Sequence, residues 1–202
     1  SLTPERHKRV ARRFAVAEVE GLLTPPLAPS LADCRNVSTQ VPTRLRIGYL
    51  SCDFFDHATM HLLMGVLEAH DPEQVEVLLF SHSPRREDAY TYRLGQLNGS
   101  FTELNNLTDQ ESAIAIAAAK LDILVDLKGF TTGARFGIVA RRPAPIIVSW
   151  LGYPGTLGHE RLADYIIGDP IVTPAINAPH FTERLALMPI CYQPNDAKRI
   201  RP

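Results

Sequence analysis

The sequence predicts an α/β fold, a doubly wound and mostly parallel Rossmann-like sheet. Between residues 44 and 168, short runs rich in β-branched residues alternate with segments of helical periodicity, as they do in repeated β-α-β units. One run, DILVDL, is apolar almost throughout, which is typical of a strand buried on both faces of a parallel sheet. Ionisable residues crowd the end of the first predicted strand, and ligands bind at such strand ends in open α/β sheets.

The first predicted element is an amphipathic helix near the beginning of the chain. Thr3 suits the N-cap and Pro4 suits the first helical position. Val10, Phe14 and Ala17 recur on one face, which is expected to be the apolar face of the helix.

The main domain is expected to begin near Arg44 and to alternate strands with helices. Strands are predicted at six places: RIGYLSC, VEVLLFS, the region of Phe101, DILVDL, PIIVSWLG and Tyr165 to Ile167. Helices are predicted between them: a segment that ends at Asp71 and Pro72, Ala89 to Leu97, a segment that begins at the Thr108 and Glu111 capping box, and Ala134 to Ala140. A further short strand is expected at ERLALMP.

This pattern divides the chain into three parts. Residues 1–43 form an amphipathic helix and a proline-rich linker, residues 44–168 form a Rossmann-like lobe, and residues 169–202 form a proline-rich connector. Because a complete sheet pattern is followed by a connector, we expect a second lobe beyond it.

Composition narrows the possible functions. The 202 residues suit one core, and a formal net charge of −1 gives no bulk attraction to nucleic acid or to an anionic membrane. No segment approaches the roughly 20 apolar residues of a membrane span. The three cysteines are scattered and lack a Cys-x-x-Cys spacing, which disfavours a disulfide framework or a structural zinc site and suits a cytoplasmic location.

The strongest candidate site follows the first predicted strand. Its polar side chains are Asp53, Asp56, His57, Thr59 and His61. Two histidines four residues apart would share a helical face, so a metal-dependent hydrolase is one interpretation, although the glutamate of the zinc-protease pattern is missing. Hydrogen bonding of neutral imidazoles to backbone or substrate is the commoner use of such histidines, and a helix cap is the structural alternative for Asp53.

Two glycine-marked turns follow later strands. DLKGFTTGAR precedes a helix and WLGYPGTLG ends a strand. Neither is a phosphate-binding loop with the Walker order, and the chain contains no Gly-x-Gly-x-x-Gly. Ordinary nucleotide binding within this domain is therefore not supported, and turn geometry alone would explain both segments.

Taken together, four segments closely resemble the amino-terminal catalytic lobe of O-linked N-acetylglucosamine transferases and their SPINDLY-type relatives. The segments are RLRIGYLSCDFFDHATMHL, DLKGFTTGARFGIVARRPAPIIVSWLGYPGTLG, ADYIIGDPIVTP and ERLALMP. The resemblance spans about residues 44 to 190, and YQPND at residues 192–196 suggests a prokaryotic member. It implies one lobe of a two-lobe GT-B glycosyltransferase, with tetratricopeptide repeats upstream.

The resemblance also implies roles for individual residues. Asp53 and His57 are the catalytic candidates, Asp53 as the proton acceptor for the acceptor hydroxyl. The residues implied to bind the donor sugar or substrate are Thr59, His61, Leu62, Phe130, Thr132, Gly133, Leu151, Gly152 and Pro154. The family's further active-site histidine would lie before Ser1, so that role is not assigned to His7.

The function implied is inverting transfer of N-acetylglucosamine from UDP-GlcNAc to Ser/Thr hydroxyls of a protein or peptide acceptor. No metal and no cofactor are implied, and the nucleotide sugar is a substrate. Since a second lobe would supply most of the donor contacts, the chain alone is not expected to be a competent enzyme. Three alternatives stay open: a SPINDLY-like O-fucosyltransferase that uses GDP-fucose, the metal-dependent hydrolase, and a non-catalytic binding module.

Overall fold

The computed structural model describes residues 3–22, 24–29 and 44–199. Most of the predicted linker lies outside the described residues. The described chain contains a seven-stranded sheet in the order β3-β2-β1-β4-β5-β6-β7, and every adjacent pair is parallel. The predicted doubly wound α/β fold is confirmed. A mostly parallel sheet was predicted, and the described sheet is wholly parallel.

The strands are short, and they form a sheet that has helices on both faces. They are β1 (Leu45–Ser51), β2 (Val75–Ser81), β3 (Gly99–Glu103), β4 (Ile123–Asp126), β5 (Ile146–Ser149), β6 (Tyr165–Gly168) and β7 (Arg184–Leu187). The helices are α1 (Pro4–Val19), α2 (Ala58–Ala69), α3 (Ala89–Leu94), α4 (Asp109–Ala118) and α5 (Phe136–Ala140), with 3₁₀ turns at Glu20–Leu22 and Ala175–His180.

The strand periodicity sorts apolar side chains onto two faces of the sheet. Along β2, Leu78 and Phe80 join one core with α1, α4 and α5, whereas Val77 and Leu79 join a second core with α2 and α3. Successive side chains on a strand point to opposite faces, so one strand supplies both cores. Helices on both faces explain why β4 reads as an unbroken apolar run.

Helix α1 forms as predicted, but its buried face differs from the predicted one. The Thr3 side chain accepts a hydrogen bond from Arg6 N at 3.4 Å. Ala11, Ala15 and Val19 are the buried residues of the helix, whereas Val10 is 56% exposed and Phe14 43% exposed. Small side chains let the helix approach the lobe closely, since a side chain at Gly158 would collide with the backbone of α1.

The described part of the predicted connector packs on the lobe. Its strand β7 pairs with β6, and the Trp150 indole Nε1 donates to the Tyr192 carbonyl at 2.9 Å. Residues 188–199 then run beside α2, where Asp196 N donates to the His61 carbonyl at 3.0 Å. The three domain boundaries and the second lobe stay predictions. No helix among the described residues has the length and apolarity that a bilayer span requires.

Candidate active site

An open cleft of about 630 Å³ lies at the carboxyl ends of the central strands. The strand order reverses at this point. From β1 the chain continues to β2 and β3 on one side of the sheet, and it then returns to form β4 on the other side of β1. Ligands bind at this switch point in open α/β sheets. The cleft is lined by Cys52, Asp53, Phe55, His57, Ala58, Thr59, Leu62, Ser83, Arg86, Lys128, Thr131, Thr132, Gly133, Leu151, Gly152 and Gln193.

An ion pair bridges the switch point. Asp53 follows β1, Lys128 follows β4, and Lys128 Nζ donates to Asp53 Oδ2 at 2.7 Å. Both side chains are only 7% exposed. A buried charge is costly unless it is paired, so each residue of the pair requires the other.

The pair fixes the charge state of both groups. Burial raises the pKa of Asp53, but the hydrogen bonds from Lys128 and Cys52 and the charge of Lys128 outweigh it and leave that pKa below its usual value. Burial likewise lowers the pKa of Lys128, and the hydrogen bond and charge of Asp53 more than reverse this, so its pKa is raised. Asp53 is therefore a carboxylate at neutral pH and Lys128 is an ammonium.

Other polar atoms complete the surroundings of the Asp53 carboxylate. Cys52 Sγ donates to Oδ1 at 3.2 Å and Thr59 Oγ1 donates to Oδ2 at 3.4 Å. The backbone N–H of Asp53 donates to Ser51 Oγ at 3.0 Å, which holds the turn directly after β1. Asp53 thus enters the cleft on a rigid, hydrogen-bonded corner.

His57 begins helix α2 as its N-cap. Its backbone is extended and its Nδ1 accepts a hydrogen bond from Thr59 N at 3.1 Å. Because Nδ1 is an acceptor here, the neutral ring carries its proton on Nε2, and that nitrogen has no hydrogen-bond partner among the described residues. Nδ1 lies 3.7 Å from Asp53 Oδ2, so the two catalytic candidates are neighbours.

Two further loops shape the walls of the cleft. At the end of β4, the buried Asp126 accepts hydrogen bonds from the backbone N–H groups of Lys128 and Gly129, which tightens the turn that presents Lys128. After β5, Leu151 has a φ of +67°, an uncommon conformation for a residue with a Cβ. Any side chain at Gly152 would meet the carbonyl oxygens of Leu127 and Lys128, so the two loops are in direct backbone contact.

The structure brings most of the predicted site residues together. Eight of them line the cleft: Asp53, His57, Thr59, Leu62, Thr132, Gly133, Leu151 and Gly152.

Three predicted site residues lie elsewhere. His61 Nε2 donates to Asp56 Oδ1 at 2.6 Å, beyond the cleft lining. Phe130 packs in an aromatic cluster with Phe14, Phe136 and Tyr153. Pro154 lines a second cavity of about 450 Å³ together with His7 and Tyr153.

Several residues of the cleft were missed by the sequence reasoning. Lys128 is the most consequential, and a lysine directly after a buried apolar strand was an available signal. Arg86 comes from the loop before α3, and Gln193 comes from residues 188–199, the tail of the described chain. Nothing in the sequence marks the proximity of either residue to Asp53.

The side chains of the cleft supply groups for proton chemistry. Among residues 3–22, 24–29 and 44–199, no group of three or more His, Cys, Asp or Glu side chains is arranged to hold a metal ion. His57 and His61 do not converge, because His61 is turned to Asp56. A fixed carboxylate with an adjacent imidazole is suited to orient a hydroxyl group and to accept its proton.

Comparison with known proteins gives consistent matches. The profile of glycosyl transferase family 41 matches residues 2–201. The probable UDP-N-acetylglucosamine–peptide N-acetylglucosaminyltransferase SEC of Arabidopsis thaliana is 38% identical over 156 residues, 77% of this chain and 16% of that protein. The UDP-N-acetylglucosamine–peptide N-acetylglucosaminyltransferase of Caenorhabditis elegans is 41% identical over 153 residues, 75% of this chain and 13% of that protein.

Two further matches support the same assignment. The probable UDP-N-acetylglucosamine–peptide N-acetylglucosaminyltransferase SPINDLY of Arabidopsis thaliana is 33% identical over 158 residues, 75% of this chain and 17% of that protein. The structure of a variant O-GlcNAc transferase from Thermobaculum terrenum superposes with a TM-score of 0.81 at 34% identity, over 95% of this chain and 35% of that one. This chain therefore spans only a minor part of each of these relatives.

Proposed function

The chain belongs to glycosyl transferase family 41, and on that premise we propose that it is the acceptor-side lobe of a protein O-glycosyltransferase. In this proposal the donor is UDP-GlcNAc and the acceptor is a Ser or Thr hydroxyl of a protein or peptide. The names of the SEC and Caenorhabditis elegans relatives support this donor and this acceptor class.

One observation carries the proposal: the Asp53–Lys128 pair bridges β1 and β4 at the switch point and borders an open cleft. A buried ion pair is a poor way to stabilise a fold. A carboxylate that is kept ionised beside an imidazole and an open cavity is, in contrast, what acceptance of a proton from a substrate hydroxyl requires.

The proposed reaction is a single displacement with inversion. The acceptor oxygen forms a bond to the anomeric carbon, the bond from that carbon to the donor diphosphate breaks, and UDP leaves with the bonding electrons. The hydroxyl proton passes to Asp53, directly or through one water. Because the pKa of Asp53 is lowered, its driving force for proton transfer is modest, and orientation of the hydroxyl is the larger part of its role.

His57 has a separate role in this proposal. Its Nδ1 is used by the α2 cap, so its Nε2–H is the donor that remains for the sugar or for the developing charge. Thr59, Leu62, Leu151 and Gly152 line the same cleft, which supports a role for them in contacting the donor sugar.

The proposal includes a second lobe of the same protein, which would supply most of the nucleotide contacts, and tetratricopeptide repeats for the acceptor. The coverage of 13% to 17% of the relatives supports this. No metal or cofactor takes part in the proposed reaction. A cytoplasmic location is part of the proposal, supported by the free Cys52 and Cys191.

The proposal is tested with the chain extended to the full length of its relatives. The extended protein is incubated with a Ser/Thr peptide and, in parallel, with UDP-GlcNAc or GDP-fucose, and the product is identified by mass spectrometry. We expect N-acetylglucosamine on the peptide. Fucose instead would establish the SPINDLY-like alternative, and no transfer from either donor would contradict both.

Asp53→Asn tests the residue on which the proposal depends. Loss of the carboxylate should lower turnover by about a hundredfold or more. Asp56→Asn is the matched control, because Asp56 is exposed and bonds His61 outside the cleft. Full turnover of the Asp53→Asn protein would remove Asp53 from the role of proton acceptor.

A further inference from the structure

A positively charged side chain lies on the wall of the cleft, and no carboxylate among the described residues pairs with it. Arg86 lines the cleft together with Asp53, His57 and Lys128. Its guanidinium makes no ion pair and no hydrogen bond with any residue that the structure describes. Since Lys128 is neutralised by Asp53 at 2.7 Å, Arg86 is the cation that has no carboxylate partner among the described residues that line the cleft.

An aromatic ring holds Arg86 in place. The guanidinium carbon lies 3.7 Å from the centroid of the Phe55 ring, well inside the range of a cation–π contact. The Phe55 ring in turn meets the His57 ring edge-on, with centroids 5.7 Å apart. Arg86, Phe55 and His57 therefore form one continuous wall that leads from the cleft rim to the ion pair.

None of the neighbouring carboxylates that the structure describes forms an ion pair with Arg86. Asp88 accepts hydrogen bonds from the backbone N–H groups of Asp56, Tyr90 and Thr91. Asp56 is bound to His61. Glu87 is exposed and lines, together with Arg86, a shallow groove beside α3, but the two side chains form no ion pair. Arg86 is itself exposed, so among the described residues its charge has no carboxylate partner and is accessible to a ligand.

We propose that Arg86, held on Phe55, forms a subsite for an oxyanion of the substrate at the rim of the cleft. The guanidinium fork matches a carboxylate or a phosphate with two parallel hydrogen bonds. Stacking on Phe55 already restricts the conformations of the Arg86 side chain. Fewer conformations are therefore lost when an anion binds, which lowers the entropic cost of binding. The anion is either an Asp or Glu side chain beside the acceptor hydroxyl or the diphosphate of the donor.

This inference rests on the proposed function for the identity of the substrate, but its test reads binding rather than sugar transfer. Two peptides are compared that differ only by Asp or Asn next to the acceptor Ser, and UDP is compared with uridine. Dissociation constants are measured in the chain extended to the full length of its relatives, with the unmodified sequence, with Arg86→Gln and with Arg85→Gln. Arg85 is the matched control, since it is an adjacent arginine that stacks on Phe101 and does not line the cleft.

For a carboxylate subsite, the unmodified protein should bind the Asp peptide about fivefold more tightly than the Asn peptide, as expected for a partly solvated charged hydrogen bond. Arg86→Gln should abolish that preference and Arg85→Gln should keep it. For a phosphate subsite, Arg86→Gln should instead reduce the preference for UDP over uridine. Phe55→Leu, which keeps the charge and removes the stack, should weaken the same preference about twofold.

Three results would overturn the proposal: unchanged preferences in Arg86→Gln, equal losses in Arg85→Gln and Arg86→Gln, or no measurable binding of peptide or UDP to the unmodified protein. Failure of the proposed function looks different, because an anion preference that depends on Arg86 would then persist in a protein that transfers no sugar.

Discussion

At the scale of single residues, the cleft depends on two charges that are stable only as a pair. Asp53 and Lys128 come from loops 75 residues apart in sequence and meet at 2.7 Å. The pair keeps the pKa of the Asp53 carboxyl below its usual value in a place where burial alone would raise it. Its stabilising effect is present above the ordinary pKa of an aspartate and is lost as the pH falls through the lowered pKa of Asp53.

Replacement of Lys128 should therefore change both stability and its pH dependence. Lys128→Met leaves a buried carboxylate unpaired, and we expect a loss of about 3–5 kcal/mol in the free energy of unfolding at neutral pH. Without the lysine, burial raises the pKa of Asp53, so the folded state binds an extra proton. Urea unfolding should show the variant becoming less stable as the pH rises from about 4 to 7.

The double variant Asp53→Asn/Lys128→Met provides the control for this prediction. It removes both charges, so it should be more stable than Lys128→Met alone and should lose the pH dependence. If the single and double variants unfolded at the same urea concentration at every pH, the pair would not control the charge of Asp53.

At the scale of elements, the cleft residues also hold the helices and loops that present them. His57 caps α2 through Nδ1, and Gly152 lets the loop after β5 touch the loop after β4. Each of these residues shapes the backbone as well as lining the cleft. Variants must therefore be chosen to separate the two effects.

Two substitutions of His57 separate capping from chemistry. Asn is a good N-cap residue and Ala is not, so His57→Ala should lose about 1 kcal/mol of stability and His57→Asn only a few tenths. Thermal unfolding measures the difference. Both variants lack the ring Nε2–H, so both should transfer less sugar in the extended protein. A fully active His57→Asn protein would show that His57 serves only as a cap.

Gly152→Ala tests the contact between the two loops. The added methyl group meets the carbonyl oxygens of Leu127 and Lys128, so one loop must shift, at a cost of about 1–3 kcal/mol in unfolding free energy. The control is Gly21→Ala, where nothing lies within 4 Å of the new Cβ and the change should stay within about 0.5 kcal/mol. Equal stability of the two variants in a denaturation experiment would refute the close contact.

At the scale of the whole molecule, the tail closes the fold by returning to α2 and α3. Arg93 donates to both oxygens of Asp196, at 2.5 and 3.1 Å, and its Nε donates to Glu68 at 2.9 Å. The Asp196 side chain is 1% exposed. This anchor fixes the segment that carries Gln193 into the cleft.

Removal of the anchor should release the tail from the lobe. Arg93→Met leaves Asp196 buried without its partner, and we expect about 2–4 kcal/mol of destabilisation. Hydrogen exchange at the backbone N–H of Asp196 should accelerate, since its bond to the His61 carbonyl depends on the docked tail.

Lys198→Met is the comparison for Arg93→Met. Lys198 is 71% exposed and also contacts Glu68, so its loss should change stability by about 0.5 kcal/mol or less. Protection of Asp196 that survived in Arg93→Met would mean that the tail docks without this anchor.

Local signals in the sequence predicted the elements and the position of the site. The Thr108 and Glu111 pattern predicted a capping box, and the structure contains it with both hydrogen bonds. The apolar run at β4 indicated a parallel sheet, and the structure contains one. The polar residues after β1 indicated a site at the carboxyl edge of that sheet, and Asp53, His57 and Thr59 line a cleft there. These features depend on interactions within a few residues, which sequence patterns record directly.

Features that depend on distant partners could not be predicted in the same way. For α1, periodicity predicted a helix whose buried face would include Val10 and Phe14. In the structure Ala11 and Ala15 are buried instead, because the loop at Gly158 lies so close to α1 that it leaves room only for small side chains. Likewise, three predicted site residues lie outside the cleft because they contact other parts of the chain. His61 bonds Asp56, Phe130 packs on Phe14, and Pro154 lines the cavity beside His7.

By itself, the chain of amino acids determined a parallel α/β lobe, the succession of strands and helices along the chain and the corner at which Asp53 emerges, because periodicity and capping are properties of neighbouring residues. Only the tertiary structure decided that Lys128 pairs with Asp53, that Arg86 lines the cleft with no carboxylate partner among the described residues, and that Gln193 of the tail lines the same cleft. These outcomes rest on distances between residues far apart along the chain, and such distances exist only once the sheet has formed.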